Sequence, residues 1–342
     1  MRKKILFFVF LLGIAVGALW KLGESADETS VLTAKKVTKG PVLDGKIDAL
    51  WKETGAVKIP VTGGANLPKG QTEVALKAVY TDTDIFFLAQ WSDKNRSYQR
   101  SPWKKQTDGS WAKLVDPNDK GGDSNQYYED KLAMLWNINI AGFEAAGCMV
   151  ACHAGEPGKP YGNKYAANPG ELGDLWHWKS VRTGSVGQID DQYLDSTRYD
   201  KDKSPEAGRK SDPKSAGGYV DNVSDDKKTP KFGAKGNKPA PPYWILDQEK
   251  EPFDDSKYEA GNEVAGIIVA PFAGDRGDIS AKSSWSNGVW TLEFSRKLKT
   301  SSQYDVQFDD LNKQYAFGVA VFDNAQVRHA FSAAPYKLSF GK

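Results

Sequence analysis

Residues 74–91 read Val-Ala-Leu-Lys-Ala-Val-Tyr-Thr-Asp-Thr-Asp-Ile-Phe-Phe-Leu-Ala-Gln-Trp, and this stretch decides the fold class. Apolar and polar residues alternate from Val74 to Tyr80, which is the period of a strand with one buried face. Residues 81–84 are typical of a turn, and residues 85–91 form a nearly continuous apolar run. The stretch therefore predicts a β-hairpin whose second strand is buried on both faces.

Three further segments repeat this pattern along the chain. Residues 131–138, 288–295 and 315–322 are short, rich in β-branched and aromatic residues, and bounded by turn residues such as Asp323-Asn324. Long helical periodicity is absent from the sequence. Short strands separated by turns predict a mainly β chain that folds as a β-sandwich, which we place at residues 38–342.

A change of composition interrupts the strand pattern between residues 154 and 262. This part of the chain is rich in Gly, Pro, Lys and Asp, which predicts a long, loop-rich insertion that covers one end of the sandwich. Within it, residues 173–179 read Gly-Asp-Leu-Trp-His-Trp-Lys and concentrate aromatic surface. For residues 201–237 we expect a disordered surface loop.

Residues 147–153 read Gly-Cys-Met-Val-Ala-Cys-His and contain both cysteines of the chain and one of its three histidines. Two thiols followed at once by an imidazole are typical of covalent haem attachment, in which each thiol forms a thioether and the histidine binds the iron. Cys148 and Cys152 have three residues between them, where the common signature has two. A four-residue step still puts both sulfurs on one face of a helical turn. The segment predicts one haem c, with His153 as an axial ligand.

Two alternatives remain open for these thiols. A disulfide would leave the adjoining histidine unexplained and would close only a small loop. A zinc site would need a fourth ligand, and the sequence has no further cysteine to supply one.

The sequence offers few residues that could serve as the second axial ligand of the haem iron. We prefer His329, which follows the turn at residues 322–324, and we keep His177 as the alternative; Met149 or a lysine would be the remaining choice. Trp176 and Trp178 flank His177 and are expected to pack on the haem.

Residues 1–26 have the form of a secretion signal or an amino-terminal membrane anchor. Three basic residues at positions 2–4 precede an apolar run from Ile5 to Trp20. Either form delivers the chain to the periplasm. The 46 Lys and Arg residues nearly balance the 44 Asp and Glu residues, and no basic stripe supports nucleic-acid binding.

Four segments, in order, resemble the haem-binding domain of the ethylbenzene dehydrogenase gamma subunit and of related molybdenum-enzyme subunits, a β-sandwich of DOMON-like type. They are residues 42–51, 174–179, 290–298 and 317–323. The resemblance implies a β-sandwich that binds haem at one end and transfers electrons. Those subunits hold a b-type haem between a methionine and a lysine. Here the Cys-His segment falls near the position of the methionine and His329 near that of the lysine, so we expect a c-type variant.

The function expected from the sequence is electron transfer, either as a free carrier or as a subunit of a respiratory oxidoreductase. The sequence contains neither the Gly-x-Ser-x-Gly nor the His-Glu-x-x-His motif of hydrolases. Expected partners are a quinol-oxidising cytochrome, a soluble cytochrome or the subunits of a molybdenum enzyme. The alternative is a secreted carbohydrate-binding module resembling family 9, without haem, because the opening segment also resembles that family.

Overall fold

The computed structural model describes residues 30–119, 126–154 and 164–341. The expected leader at residues 1–26 lies outside the described residues. Within the described ranges, no helix has both the length and the apolar character that crossing a membrane requires.

The described residues form strands and a few short helical segments. The strands are β1 Val31–Lys36, β2 Val57–Thr62, β3 Gln71–Tyr80, β4 Asp84–Ser92, β5 Trp103–Lys105, β6 Trp111–Lys113, β7 Lys131–Asn137, β8 Gly173–Lys179, β9 Asp190–Leu194, β10 Arg209–Ser211, β11 Ala216–Asp221, β12 Phe232–Gly233, β13 Ile245–Leu246, β14 Glu251–Pro252, β15 Glu263–Val264, β16 Ile267–Ala273, β17 Ser280–Ser286, β18 Val289–Lys297, β19 Tyr315–Phe322, β20 Ala330–Phe331 and β21 Tyr336–Phe340. The α-helices are α1 Ala49–Glu53 and α2 Phe143–Ala146, and the 3₁₀ turns are Pro68–Gly70, Gly147–Val150, Gly184–Val186, Lys235–Asn237, Asp247–Glu249, Asp255–Lys257 and Asp275–Gly277.

One large sheet folds over on itself to make two layers. The first layer has the strand order β10-β9-β8-β7-β19, and the second has the order β2-β3-β4-β18-β17. Strand β20 pairs with both β19 and β2, while β1 pairs in parallel with β21 and β3. The chain is therefore mainly β and sandwich-like, as the sequence predicted.

The predicted hairpin is confirmed by β3 and β4. Their antiparallel register runs from Val74 opposite Trp91 to Tyr80 opposite Ile85. The inner faces of both strands enter an aromatic core between the layers. There the ring of Phe87 lies 5.8 Å from that of Trp176 in the opposite layer. The hairpin thus supplies one wall of the core.

The predicted insertion at residues 154–262 is loop-rich, but the expectation that it lacks regular structure is corrected, because seven strands lie within its described part. Strands β8, β9 and β10 belong to the first layer, and β11 to β14 follow them. The expectation of disorder at residues 201–237 is also corrected, because β10, β11 and β12 lie there. Periodicity did not reveal β8, since it is buried on both faces and its residues do not alternate in polarity.

The opening segment, residues 42–51, is fastened to β18 through one buried carboxylate. Glu293 accepts hydrogen bonds from the backbone N–H groups of Asp44 and Gly45 at 3.0 and 2.7 Å, and from Trp51 Nε1 at 2.7 Å. Gly45 has a φ of 78°, a conformation that glycine adopts without strain. Asp48 caps α1 by accepting from the Trp51 backbone N–H. One acidic side chain therefore satisfies three donors at the start of the sandwich.

Replacing Trp51 by phenylalanine should remove one of these donors and leave a buried carboxylate oxygen without its partner. We expect Trp51→Phe to lower the free energy of unfolding by about 1–3 kcal/mol, measured by urea denaturation. Trp111→Phe is the matched control, because Trp111 Nε1 donates to an exposed carboxylate of Asp255. Equal losses in the two variants would contradict this assignment.

Candidate cofactor site

The Cys-His segment lies on the outer face of β7, β8 and β19, opposite the aromatic core. Small and apolar side chains point outward from these strands and form a second buried cluster, here called the outer cluster. Its members are Ala133, Leu135, Ile140, Phe143, Ala151, Ala166, Leu175, Leu194, Ala316 and Phe322. Cys148 and Cys152 both pack against it. The three strands are thus covered on both faces.

The two cysteines lie in a tight, irregular turn rather than a regular helix. The 3₁₀ turn at residues 147–150 follows α2, and the carbonyl of Cys148 accepts from the N–H groups of Ala151 at 3.2 Å and His153 at 2.9 Å. The expected helical geometry is therefore corrected. Both sulfurs still reach one surface, because the turn brings both side chains onto the outer cluster.

Gly318 makes room for the first sulfur. A Cβ atom built at this position of β19 would lie 2.6 Å from Cys148 Sγ, well inside van der Waals contact. The sequence contained a signal for this approach that our prediction did not use, since an isolated glycine within an apolar strand often marks close packing by another segment. The absence of a side chain at Gly318 therefore lets the turn at residues 147–150 pack closely against β19.

Both cysteines are free thiols in the structure. Burial raises the pKa of the Cys148 thiol, with a further contribution from Cys152, and burial raises that of Cys152 to about 11. Both sulfurs are consequently protonated at neutral pH and weak as nucleophiles.

His153 and His329 face each other across this turn. Their Nε2 atoms are 3.3 Å apart, and the His153 ring stacks on Phe331 with a centroid separation of 3.7 Å. The residues are 176 positions apart in the sequence and meet because β20 returns beside β19. The structure thus brings together the two histidines that the sequence analysis preferred.

The local hydrogen bonding fixes how His329 presents its ring. Its Nδ1 donates to the Val327 carbonyl at 2.7 Å, so the neutral ring carries its free lone pair on Nε2, the atom that faces His153. Burial, reinforced by His153, lowers the pKa of His329 to about 3, and burial lowers that of His153. Two neutral imidazoles therefore meet, and neutral imidazole is the form that binds metals.

His177 lies farther along the same face. Its ring stacks on Phe322 at 5.5 Å, and Phe322 contacts the His329 ring at 4.5 Å. Nδ1 of His177 lies 3.3 Å from Gln192 Oε1, while its buried Nε2 has no hydrogen-bond partner. Burial and the cation of Lys179 lower its pKa. The ring of Phe322 therefore packs against both His177 and His329, whereas His329 itself meets His153.

Trp176 and Trp178 do not line this site, and that expectation is corrected. Successive side chains of a strand point to opposite faces, so these two indoles enter the aromatic core when His177 points outward. Met149, the other alternative, has 45% of its surface exposed. Phe322 and Phe331, which the sequence analysis did not single out, are the rings that pack against the histidines.

The model of one known family, ethylbenzene dehydrogenase, matches residues 48–333. The chain belongs to the ethylbenzene dehydrogenase family. This family is related to electron-transfer subunits of oxidoreductases. All four segments that carried the resemblance fall wholly or partly within the match. No curated protein sequence matches the chain.

Three solved structures with some similarity are described as carbohydrate-binding. A family 9 carbohydrate-binding module from Caldicellulosiruptor kristjanssonii, in complex with glucose, has 10% identity and a TM-score of 0.35, covering 91% of this chain and 95% of its own. The same module with cellotriose has 9% identity and a TM-score of 0.35, covering 91% and 93%. A putative carbohydrate-binding protein from Bacteroides uniformis has 10% identity and a TM-score of 0.37, covering 91% and 99%.

A methyl group at position 318 should clash with the Cys148 sulfur and displace it from β19. We expect Gly318→Ala to cost about 1–3 kcal/mol of unfolding free energy, measured by urea denaturation of chain without attached cofactor. The same change in a Cys148→Ala background should cost less than about 0.5 kcal/mol, because the clashing atom is gone. Gly55→Ala is the matched control, since a Cβ there meets nothing within 4 Å. Equal costs in both backgrounds would exclude the contact.

Proposed function

We propose that this protein is a periplasmic c-type cytochrome, a member of the ethylbenzene dehydrogenase family that carries one covalent haem and transfers electrons. The observation that supports this most is the convergence of His153 and His329 beside two thiols that pack on one surface. When bound, the haem iron supplies a ferric–ferrous couple for one-electron transfer.

The two histidines of the site are chemically suited to bind a haem iron. The Nε2 atoms of His153 and His329 face each other at 3.3 Å, and neutral imidazole nitrogen is a ligand that haem iron accepts. His153 and His329 are therefore the two residues that would hold the iron. The Val327 carbonyl orients His329 in the tautomer that ligation requires.

The two thiols complete the attachment. Cys148 and Cys152 would hold the porphyrin through two thioether bonds, and the neighbouring His153 would bind the iron from the same turn. Ligation by two imidazoles favours a lower reduction potential than ligation by imidazole and thioether.

Access for a redox partner is supported by the surface around the site. Met149 and Val327 are 45% and 40% exposed and flank the turn and His329, respectively. Exposed apolar side chains beside the site suit the transient contacts of electron transfer. We infer a partner among quinol-oxidising cytochromes, soluble cytochromes or molybdenum-enzyme subunits, reached after export directed by residues 1–26.

The carbohydrate-binding alternative finds little support in the side chains. A sugar platform needs exposed aromatic rings, whereas Trp111, Trp244 and Trp285 are only partly exposed and the other tryptophans of the described ranges are buried. Trp176 and Trp178 are buried in the aromatic core. We therefore do not put it forward as a second function.

Removal of each candidate ligand tests the iron coordination. In protein matured in a host with haem-attachment machinery, we expect His329→Ala to convert the iron from low spin to high spin, followed by optical and electron paramagnetic resonance spectra. Added imidazole should restore the low-spin spectrum. His177→Ala is the matched control and should stay low spin. High-spin conversion in the control, with His329→Ala unchanged, would overturn the ligand assignment.

A further inference from the structure

Three buried aspartates meet on the core side of the first layer, behind the cofactor site. Asp174 lies on β8, Asp191 lies on β9, and Asp305 lies between β18 and β19. One carboxylate oxygen from each lies within 4.8 Å of the others. The side chains of all three are almost completely shielded from solvent.

Most of these oxygens have no donor. Among the described residues, no group donates a hydrogen bond to either oxygen of Asp191 or Asp305, or to Oδ1 of Asp174. An ionised carboxylate is very costly to bury unless a cation or several donors compensate it. Asp191 is the strongest case, because it is wholly buried, neither of its oxygens has a donor among the described residues, and the nearby Asp278 carboxyl adds repulsion.

The neighbouring arginine compensates only part of this charge. Arg296 Nη1 lies 2.8 Å from Asp174 Oδ2 and 3.4 Å from Asp305 Oδ2. A fourth buried carboxyl, Asp212, adjoins the group and lies 3.2 Å from the Ser302 hydroxyl. One guanidinium therefore contacts only two of these four buried acids.

The burial of these carboxyl groups shifts their pKa values. Burial, reinforced by Asp174 and Asp305, raises the pKa of Asp191 well above its ordinary value, and burial raises that of Asp212 to about 8. Burial and mutual repulsion thus both oppose several negative charges at this place unless a cation offsets them.

We propose that Asp174, Asp191 and Asp305 bind one structural Ca²⁺ ion. Carboxylate oxygens are the ligands that this hard cation prefers, and two oxygens on one calcium can stand up to about 4.6–5.2 Å apart. Magnesium keeps several waters and is less suited to a closed, all-protein site. The ion would join β8 and β9 to the segment that connects β18 with β19, so it would tie the two layers together.

A second group of three aspartates differs from the first in its hydrogen bonding. Asp93, Asp130 and Asp323 also converge. Asp130, however, accepts from the backbone N–H groups of Ser97 and Asn324 and from Trp290 Nε1. Its carboxylate is already satisfied by donors, so that group gives less reason to place a cation.

Metal analysis and thermal unfolding of the full chain test the proposal. We expect one calcium per chain after purification without chelator, and a rise in melting temperature of about 5 °C or more when 1 mM Ca²⁺ (roughly 100-fold or more above its dissociation constant) is added to chelated protein. Magnesium should give no comparable rise. Terbium should bind with luminescence sensitised by tryptophan, because Arg296, which contacts two of the ligands, lies 4.9 Å from the Trp176 ring.

Two variants separate metal binding from folding. Asp191→Asn should lose the calcium response and the terbium signal yet melt near the chelated parent, because it relieves repulsion between buried charges. Asp82→Asn, at an exposed position, is the control and should keep both responses.

The calcium shift should persist when Cys148 and Cys152 are both replaced by alanine, since the site lies on the other face of the sheet. Failure of haem attachment would therefore leave this result untouched. No bound calcium with no thermal shift, an equal response to magnesium, or an unchanged response in Asp191→Asn would each overturn the proposal.

Discussion

Strands β7, β8 and β19 are buried on both faces, and the arrangement of the candidate site depends on this constraint. Alternation along β8 sends Trp176 and Trp178 into the aromatic core and His177 to the outer cluster. A slip of one residue would exchange these faces and place two indoles where the Cys-His turn now packs. The aromatic core thus fixes the register on which the outer face depends.

The segments that carried the family resemblance contact one another in the fold. Trp51 of the opening segment donates to Glu293, and Arg296, three residues later on β18, pairs with Asp174 at the start of the Trp-His-Trp segment. These polar contacts are buried, where an unpaired group costs more than a surface pair contributes. The segments that carried the resemblance therefore join the two layers, whereas the Cys-His turn and His329 lie on the outer face.

Much of the fold could be predicted from the sequence, because the hairpin at residues 74–91 and the strand at residues 315–322 have clear apolar patterns and nearby turns. Strands β8 and β9 could not, since Asp174, Asp190 and Asp191 are buried polar residues that periodicity assigns to loops. The cysteines and His153 are adjacent in sequence, so their grouping was evident. Strand pairing between distant segments is not encoded in local patterns. This pairing brings His329 to His153 and Gly318 against Cys148. It also places the rings of Phe322 and Phe331 against the histidines.

The most direct test of this account is the intact mass of the denatured, exported chain, produced in a host that attaches haem to proteins. We predict a mass increased by one haem that survives acid–acetone extraction and disappears when Cys148 and Cys152 are both replaced by alanine. A chain that matures and folds in such a host yet carries no porphyrin would contradict the assignment of the outer face as a haem site.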